Sequence, residues 1–165
     1  MFKVKNVKTN EIVQVLSVYC DEYGKSWFLF WENDSWRWRP SDNFCPPNYE
    51  PKKKVIIAGS RSFNDWNLAY QTLNPYKDKI NEVVCGDAKG ADIIGANWAH
   101  ENHIPIRHFP ADWQKYGASA GYVRNKAMGD YADFLIAFWD GASPGTKDMI
   151  EYMKKLGKEQ IVINI

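Results

Sequence analysis

Cysteine is scarce in this chain. Cys20, Cys45 and Cys85 are odd in number and none stands in a C-x-x-C pair, which excludes a disulfide framework and a cysteine-built zinc module. No apolar run approaches the roughly 18–20 residues needed to cross a bilayer, and Met1–Lys5 has no apolar core of a signal peptide. A soluble protein without a membrane partner in a reducing, cytoplasmic setting is the expectation. Excess charge of one sign is lacking too: 21 Lys and Arg against 20 Asp and Glu leave a net charge of +1. That balance argues against a broad basic footprint for duplex nucleic acid. There is no P-loop, no G-x-S-x-G elbow and no H-E-x-x-H, so the common kinase, hydrolase and zinc-protease chemistries are disfavoured. His100 and His103 are spaced i, i+3, but no third ligand stands near them. Neither a metal nor a cofactor is expected.

What the chain does have is apolar and aromatic material. At 165 residues with 45% hydrophobic content it can bury a real core. Of its eight tryptophans, Trp27, Trp31, Trp36 and Trp38 crowd into the first quarter, which marks a separate module there. Residues 1–46 read as short strands at 2–7, 11–19, 27–31 and 35–39, punctuated by Thr9-Asn10, Tyr23-Gly24 and Asn33-Asp34. The expectation is a small antiparallel β-barrel-like domain with Trp36 and Trp38 in its core. The alternative is that the two rings clamp a base, a peptide or a single strand. The proline-rich stretch through 47–53 reads as the connector.

Over 54–165 the pattern changes to apolar strand alternating with amphipathic helix. Strands are expected at 55–58, 82–85, 104–109, 134–138 and 160–163, and the continuously apolar ones suit a sheet covered on both faces. Helical spacing links Trp66, Ala69, Tyr70 and Leu73, then Ile94, Trp98 and Ala99, then Val123, Ala127 and Tyr131, then Met149, Met153 and Leu156. Asp65 and Ser143 or Thr146 are candidate helix starts, and Gly157 a stop. Strand and helix in this alternation predict a Rossmann-like three-layer α/β domain with a five-stranded parallel sheet.

Three glycine-bearing turns follow these strands: Gly59-Ser60-Arg61-Ser62, Gly86-Asp87-Ala88-Lys89-Gly90-Ala91-Asp92 and Asp140-Gly141-Ala142-Ser143-Pro144-Gly145-Thr146. Parallel strands gather such turns on the carboxyl edge, where open α/β sheets bind ligands. Helix N-termini there offer unpaired N–H groups to anions. The candidate ligand-binding residues are Gly59, Ser60, Arg61, Gly86, Asp87, Lys89, Gly90, Arg124, Asn125, Asp140, Ser143, Gly145 and Thr146. Asp92 reads as a helix-start charge, and Trp113 is expected to be buried against the sheet more than stacked on a base.

These turns, with Val55-Ile56-Ile57-Ala58 before the first and Ala120-Gly121-Tyr122-Val123-Arg124-Asn125-Lys126-Ala127-Met128 before the last, resemble the SMF/DprA-LOG (SLOG) superfamily in its YspA-like branch. The resemblance implies binding of a nucleotide or a nucleotide-derived molecule, relatives linked to nucleotide signalling and defence conflicts in bacteria and phages, and a homo-oligomer. Hydrolytic LOG-type relatives use a G-G-x-G-T-x-x-E turn with an arginine on the preceding helix. Arg124 and Gly145-Thr146 resemble those elements, but the glutamate position falls on Met149, which can neither accept a proton nor stabilise a cationic sugar centre. Asp87 stands where the branch usually carries glycine, and a ribose contact is its preferred role.

The leading expectation is therefore a binding protein that holds an ADP-ribose-type or cyclic nucleotide signal without destroying it. The runner-up is a nucleotide or nucleoside-phosphate hydrolase using Arg124 with a carboxylate from Asp87, Asp140 or Asp148, or from a partner subunit. A third is an adaptor for single-stranded DNA with the tryptophan-rich module as its platform.

Overall fold

The computed structural model describes residues 1–165, which separate into two compact units, Met1–Pro51 and Lys52–Ile165. In the first, strands β1 (Phe2–Asn6), β2 (Ile12–Val15) and β6 (Phe44–Cys45) form one antiparallel sheet in the order β2-β1-β6. A second holds β3 (Ser17–Cys20), β4 (Ser26–Glu32) and β5 (Ser35–Pro40) in the order β3-β4-β5. The strand expected over 11–19 is thus two. The chain changes sheets at Leu16, whose N–H donates to the carbonyl of Leu29 at 3.0 Å, so β2 pairs with β1 while β3 pairs with β4.

The core of this unit is Val4, Val15 and Phe30, with Val13, Phe28 and Phe44 packed against them. Trp36 and Trp38 do not belong to it. Register opposes Trp31 to Trp36 and Leu29 to Trp38, and strand alternation then sends Phe28 and Phe30 to the opposite face. Trp31, Trp36, Trp38 and Tyr19 are all exposed. Trp31 meets Trp36 edge-on with centroids 4.8 Å apart, and Tyr19 meets Trp38 at 6.0 Å.

The second unit is a Rossmann-like α/β domain. Strands β7 (Lys53–Gly59), β8 (Ile80–Cys85), β9 (Ile106–His108), β10 (Phe134–Trp139) and β11 (Glu159–Asn164) form one parallel sheet in the order β11-β10-β7-β8-β9. The helices are α1 (Trp66–Leu73), α2 (Ala91–Glu101), α3 (Trp113–Tyr116), α4 (Ala120–Tyr131) and α5 (Pro144–Lys155). The expected connector ends inside the sheet, because β7 begins at Lys53. β9 is shorter than the apolar pattern suggests, starting only after Pro105, whose carbonyl accepts from Val83 N–H at 2.8 Å.

Both faces of the sheet are covered, which explains its uninterrupted apolar strands. Val55, Ile57, Ile136 and Phe138 pack with Ala69, Leu73, Ile94 and Trp98 on one side. Ile56, Leu135 and Ala137 pack with Met128, Met149 and Met153 on the other. Asp65 caps α1 by accepting from Leu68 N–H at 2.9 Å. Ser143 occupies the start of α5 without capping it, since its hydroxyl donates to Asp140 Oδ2 at 2.8 Å instead. Gly157, at φ 66°, ends α5 by donating its N–H to the carbonyl of Lys154 at 3.0 Å.

Candidate ligand-binding site

The strand order reverses between β7 and β10, which lie side by side at the centre of the sheet. Loops leaving their carboxyl ends diverge to opposite faces there and open a crevice. A cavity of about 470 Å³ occupies this place, walled by the loop after β7, the start of α2, α4 and the first turns of α5. Its size suits a small organic ligand.

Seven of the thirteen candidate binding residues line it: Gly59, Arg61, Arg124, Asn125, Ser143, Gly145 and Thr146. Arg61 is exposed at the rim and takes part in none of the ion pairs, leaving its fork of donors available. Arg124 reaches from α4 to donate through Nη1 to the carbonyl of Gly86. Its Nε is buried and has no partner, an unusual condition for a guanidinium donor. Asn125 is held on the cavity wall by donating to Gly145 O and Asp148 Oδ2, both at 3.0 Å. The first turn of α5 brings amides that have no intrahelical acceptor and the positive end of a 12-residue helix.

The remaining candidates lie outside the cavity wall, and all but Lys89 have another task. Ser60 is fully buried, and its hydroxyl accepts from Asp140 N–H at 3.1 Å, tying the loop after β10 to the loop after β7. The Asp140 carboxylate accepts from Ser143 N–H at 2.7 Å and Ala142 N–H at 3.0 Å. Those bonds, with the Ser143 hydroxyl, hold it well below the usual carboxylate range. It therefore organises its own loop. Asp148 accepts from Asn125, and neither it nor Asp140 lines the cavity.

Gly86 sits behind Arg124, where a Cβ would strike the guanidinium. Gly90, at φ 81°, lets the start of α2 press against the Ser60 carbonyl. Lys89 is exposed to solvent. Asp87, expected to meet a ribose, turns instead toward His108, with Oδ1 and Nδ1 2.6 Å apart.

Asp92 and Trp113, outside the thirteen candidates, also line the cavity. Asp92 is 4% exposed and lines the cavity, with Oδ2 accepting from Gly86 N–H at 3.2 Å and Ala88 N–H at 3.4 Å. Burial pushes it up to about 6, against the opposing pull of the Arg124 charge and those two amides. Trp113 is 55% exposed and lines the cavity, because it begins the four-residue α3 above the sheet and is not packed onto it. Tyr122 joins it on the wall, so two aromatic faces are available. Met149, 2% exposed, also lines the cavity.

Residues 53–116 match the family described as "YspA, cpYpsA-related SLOG family". The matched stretch lies in the second unit and runs from β7 to the end of α3. The chain is also similar in structure to DNA processing protein A (DprA) from Streptococcus pneumoniae, with a TM-score of 0.59 and 16% identity over 69% of this chain. The match takes in 51% of that protein's chain, and at this identity the likeness is one of fold. No curated protein matches the chain. In the second unit, as in other open α/β sheets, the cavity lies at the point where the strand order reverses.

Proposed function

We propose that the second unit binds a nucleotide-derived small molecule by its phosphate and holds it intact. The observation that carries this reading is the buried, unpartnered Nε of Arg124, in a side chain on the wall of a cavity shared with Arg61 and the first turn of α5. Two guanidinium groups and a helix N-terminus make an anion site, and Trp113 and Tyr122 offer surfaces for a base. Met149 on the same wall supports capture over cleavage, since a thioether performs no acid–base chemistry. Capture of an ADP-ribose-type or cyclic nucleotide signal is a task for a phage protein opposing bacterial defence, and we read this one so. We also read it as a homo-oligomer, which native mass measurement tests directly.

Calorimetric titration with ADP-ribose and with cyclic nucleotides, followed by denaturation and mass analysis of the released ligand, tests the proposal. The expected result is stoichiometric binding with the ligand recovered unchanged, weakened at least about tenfold by Arg61→Ala. Cleaved ligand overturns capture and favours hydrolysis, for which Asp92 is the carboxylate on the cavity wall. A second reading draws on the exposed Tyr19, Trp31, Trp36 and Trp38 and on the name of the structural neighbour. In that reading the first unit stacks the bases of single-stranded DNA. Binding of an oligonucleotide that weakens steeply with salt supports it.

A further inference from the structure

A second cluster of reactive side chains lies at the carboxyl edge of the sheet and contributes nothing to the cavity wall. β8 and β9 are parallel neighbours in which Cys85 stands opposite His108, so their side chains leave the sheet on the same face. Asp87, two residues past the end of β8, adopts φ 57°, a conformation uncommon for a residue with a Cβ. From there its Oδ1 reaches both neighbours, 2.6 Å from His108 Nδ1 and 3.4 Å from Cys85 Sγ. One sulfur, one imidazole nitrogen and one carboxylate oxygen thus lie within 4.8 Å of one another.

We propose that Cys85, Asp87 and His108 form a three-ligand site for a borderline-soft divalent cation of the zinc class, with its fourth position open. The donor set decides the class. A thiolate and an imidazole select zinc and its neighbours, whereas magnesium and calcium take oxygen ligands. Tetrahedral bonds of about 2.0–2.3 Å separate their ligand atoms by roughly 3.3–3.8 Å. The sulfur and the carboxylate oxygen already stand at 3.4 Å. His108 and Asp87 are exposed and move apart by about 1 Å to admit the ion.

As the metal binds, the S–H bond breaks and its proton passes to solvent, and the hydrogen that His108 Nδ1 shares with Asp87 leaves that nitrogen, the neutral ring keeping its one proton on Nε2; a thiolate and a carboxylate then together cancel the charge of the dication. The buried sulfur forms the inner side of the site, and the exposed histidine and aspartate leave the outer position to water or to an incoming ligand. The cluster also supplies a reason for aspartate at position 87. Two charged or polar neighbours bind its carboxylate in a turn where glycine would cost less strain.

Titration of cobalt(II) and of zinc(II) into the chelator-treated full chain tests the assignment. The expected result is one equivalent of cobalt bound, with a thiolate charge-transfer band in the near ultraviolet that zinc abolishes by displacement. The band should disappear in Cys85→Ser and persist in the double variant Cys20→Ser, Cys45→Ser. Because Cys85 is buried, circular dichroism must show that Cys85→Ser is folded. His108→Ala and Asp87→Asn, both at exposed positions, give an independent arm in which affinity falls at least about tenfold. No band in the unsubstituted protein, a band surviving in Cys85→Ser, or unchanged affinity in both exposed-site variants overturns the site. None of these readings depends on the nucleotide proposal, whose ligand occupies the cavity.

Discussion

Asp92 stands two residues into α2, a position where a carboxylate ordinarily does no more than complement the helix dipole. Here the dipole explanation is insufficient, because the side chain is buried on a cavity wall and lifted to about 6. The folded chain therefore holds the proton more tightly than the unfolded chain, whose carboxyl titrates near the ordinary aspartate value of 3.8. The stability this proton confers is present below that value and lost as the pH rises through the folded value near 6. Asp92→Asn should consequently raise the unfolding free energy at pH 8 by about 1–3 kcal/mol, with the gain disappearing by about pH 4. Urea denaturation at the two pH values measures this.

From sequence alone Asp92 reads as a helix-start charge, for a local reason. Gly59 and Arg61, at a strand end, and Arg124 and Thr146, on α4 and α5, line the cavity, and glycine-rich turns with nearby donors are a recognisable anion-site pattern. Aspartate in the first turn of a helix has a common structural use. Trp113 was hidden by a different rule, since large aromatics are usually buried. Only its placement on the short α3, and not on the sheet, leaves it half exposed.

Two elements depend on contacts that distant residues complete. The start of α2 packs against the loop after β7 through Gly90, which has φ 81° and no room for a Cβ beside the Ser60 carbonyl. Gly90→Ala should cost at least about 2 kcal/mol, from backbone strain and the collision together, and should weaken ligand binding in the cavity. Thermal denaturation and calorimetry read the two effects. At its carboxyl end α4 is followed by Ala132 and has no glycine cap. Its last carbonyls are satisfied by Lys158, whose Nζ donates to Gly129 O at 2.7 Å, Asp130 O at 3.0 Å and Ala132 O at 2.6 Å. A cation at a helix C-terminus also complements the dipole. Lys158→Met should therefore destabilise the domain by about 1–3 kcal/mol in chemical denaturation, leaving the cavity residues in place.

Helix stripes and buried strands were legible in advance because their periods of 3.6 and 2 are local properties of the chain. The division of residues 11–19 into β2 and β3 was not, because each half of the apolar run is equally able to pair and only the choice of partner separates them. The same holds for Trp36 and Trp38. Alternation places them on one face, but nothing in the pattern says which face meets the core.

At the scale of the whole molecule, each unit has its own core, Val4, Val15 and Phe30 in one and two apolar layers on the parallel sheet in the other. Lys52–Ile165 should thus fold without the first unit and retain ligand binding at the cavity, since no cavity residue precedes Ala58. A cooperative thermal transition in that fragment, with an affinity within about twofold of the full chain, is the expected outcome. A molten fragment is the contrary one.

The amino-acid sequence by itself determined the α/β alternation, the parallel sheet and the three glycine-bearing turns at its carboxyl edge, because periodicity and turn chemistry are short-range. Only the tertiary structure decided which of those turns share a cavity. The loops after β7 and β10 meet because their strands are neighbours. The turn after β8 divides its residues, with Asp92 and Ala88 facing the cavity and Asp87 facing Cys85 and His108. That division follows from strand order and from the left-handed backbone at Asp87, and both are settled by packing across residues far apart in the chain.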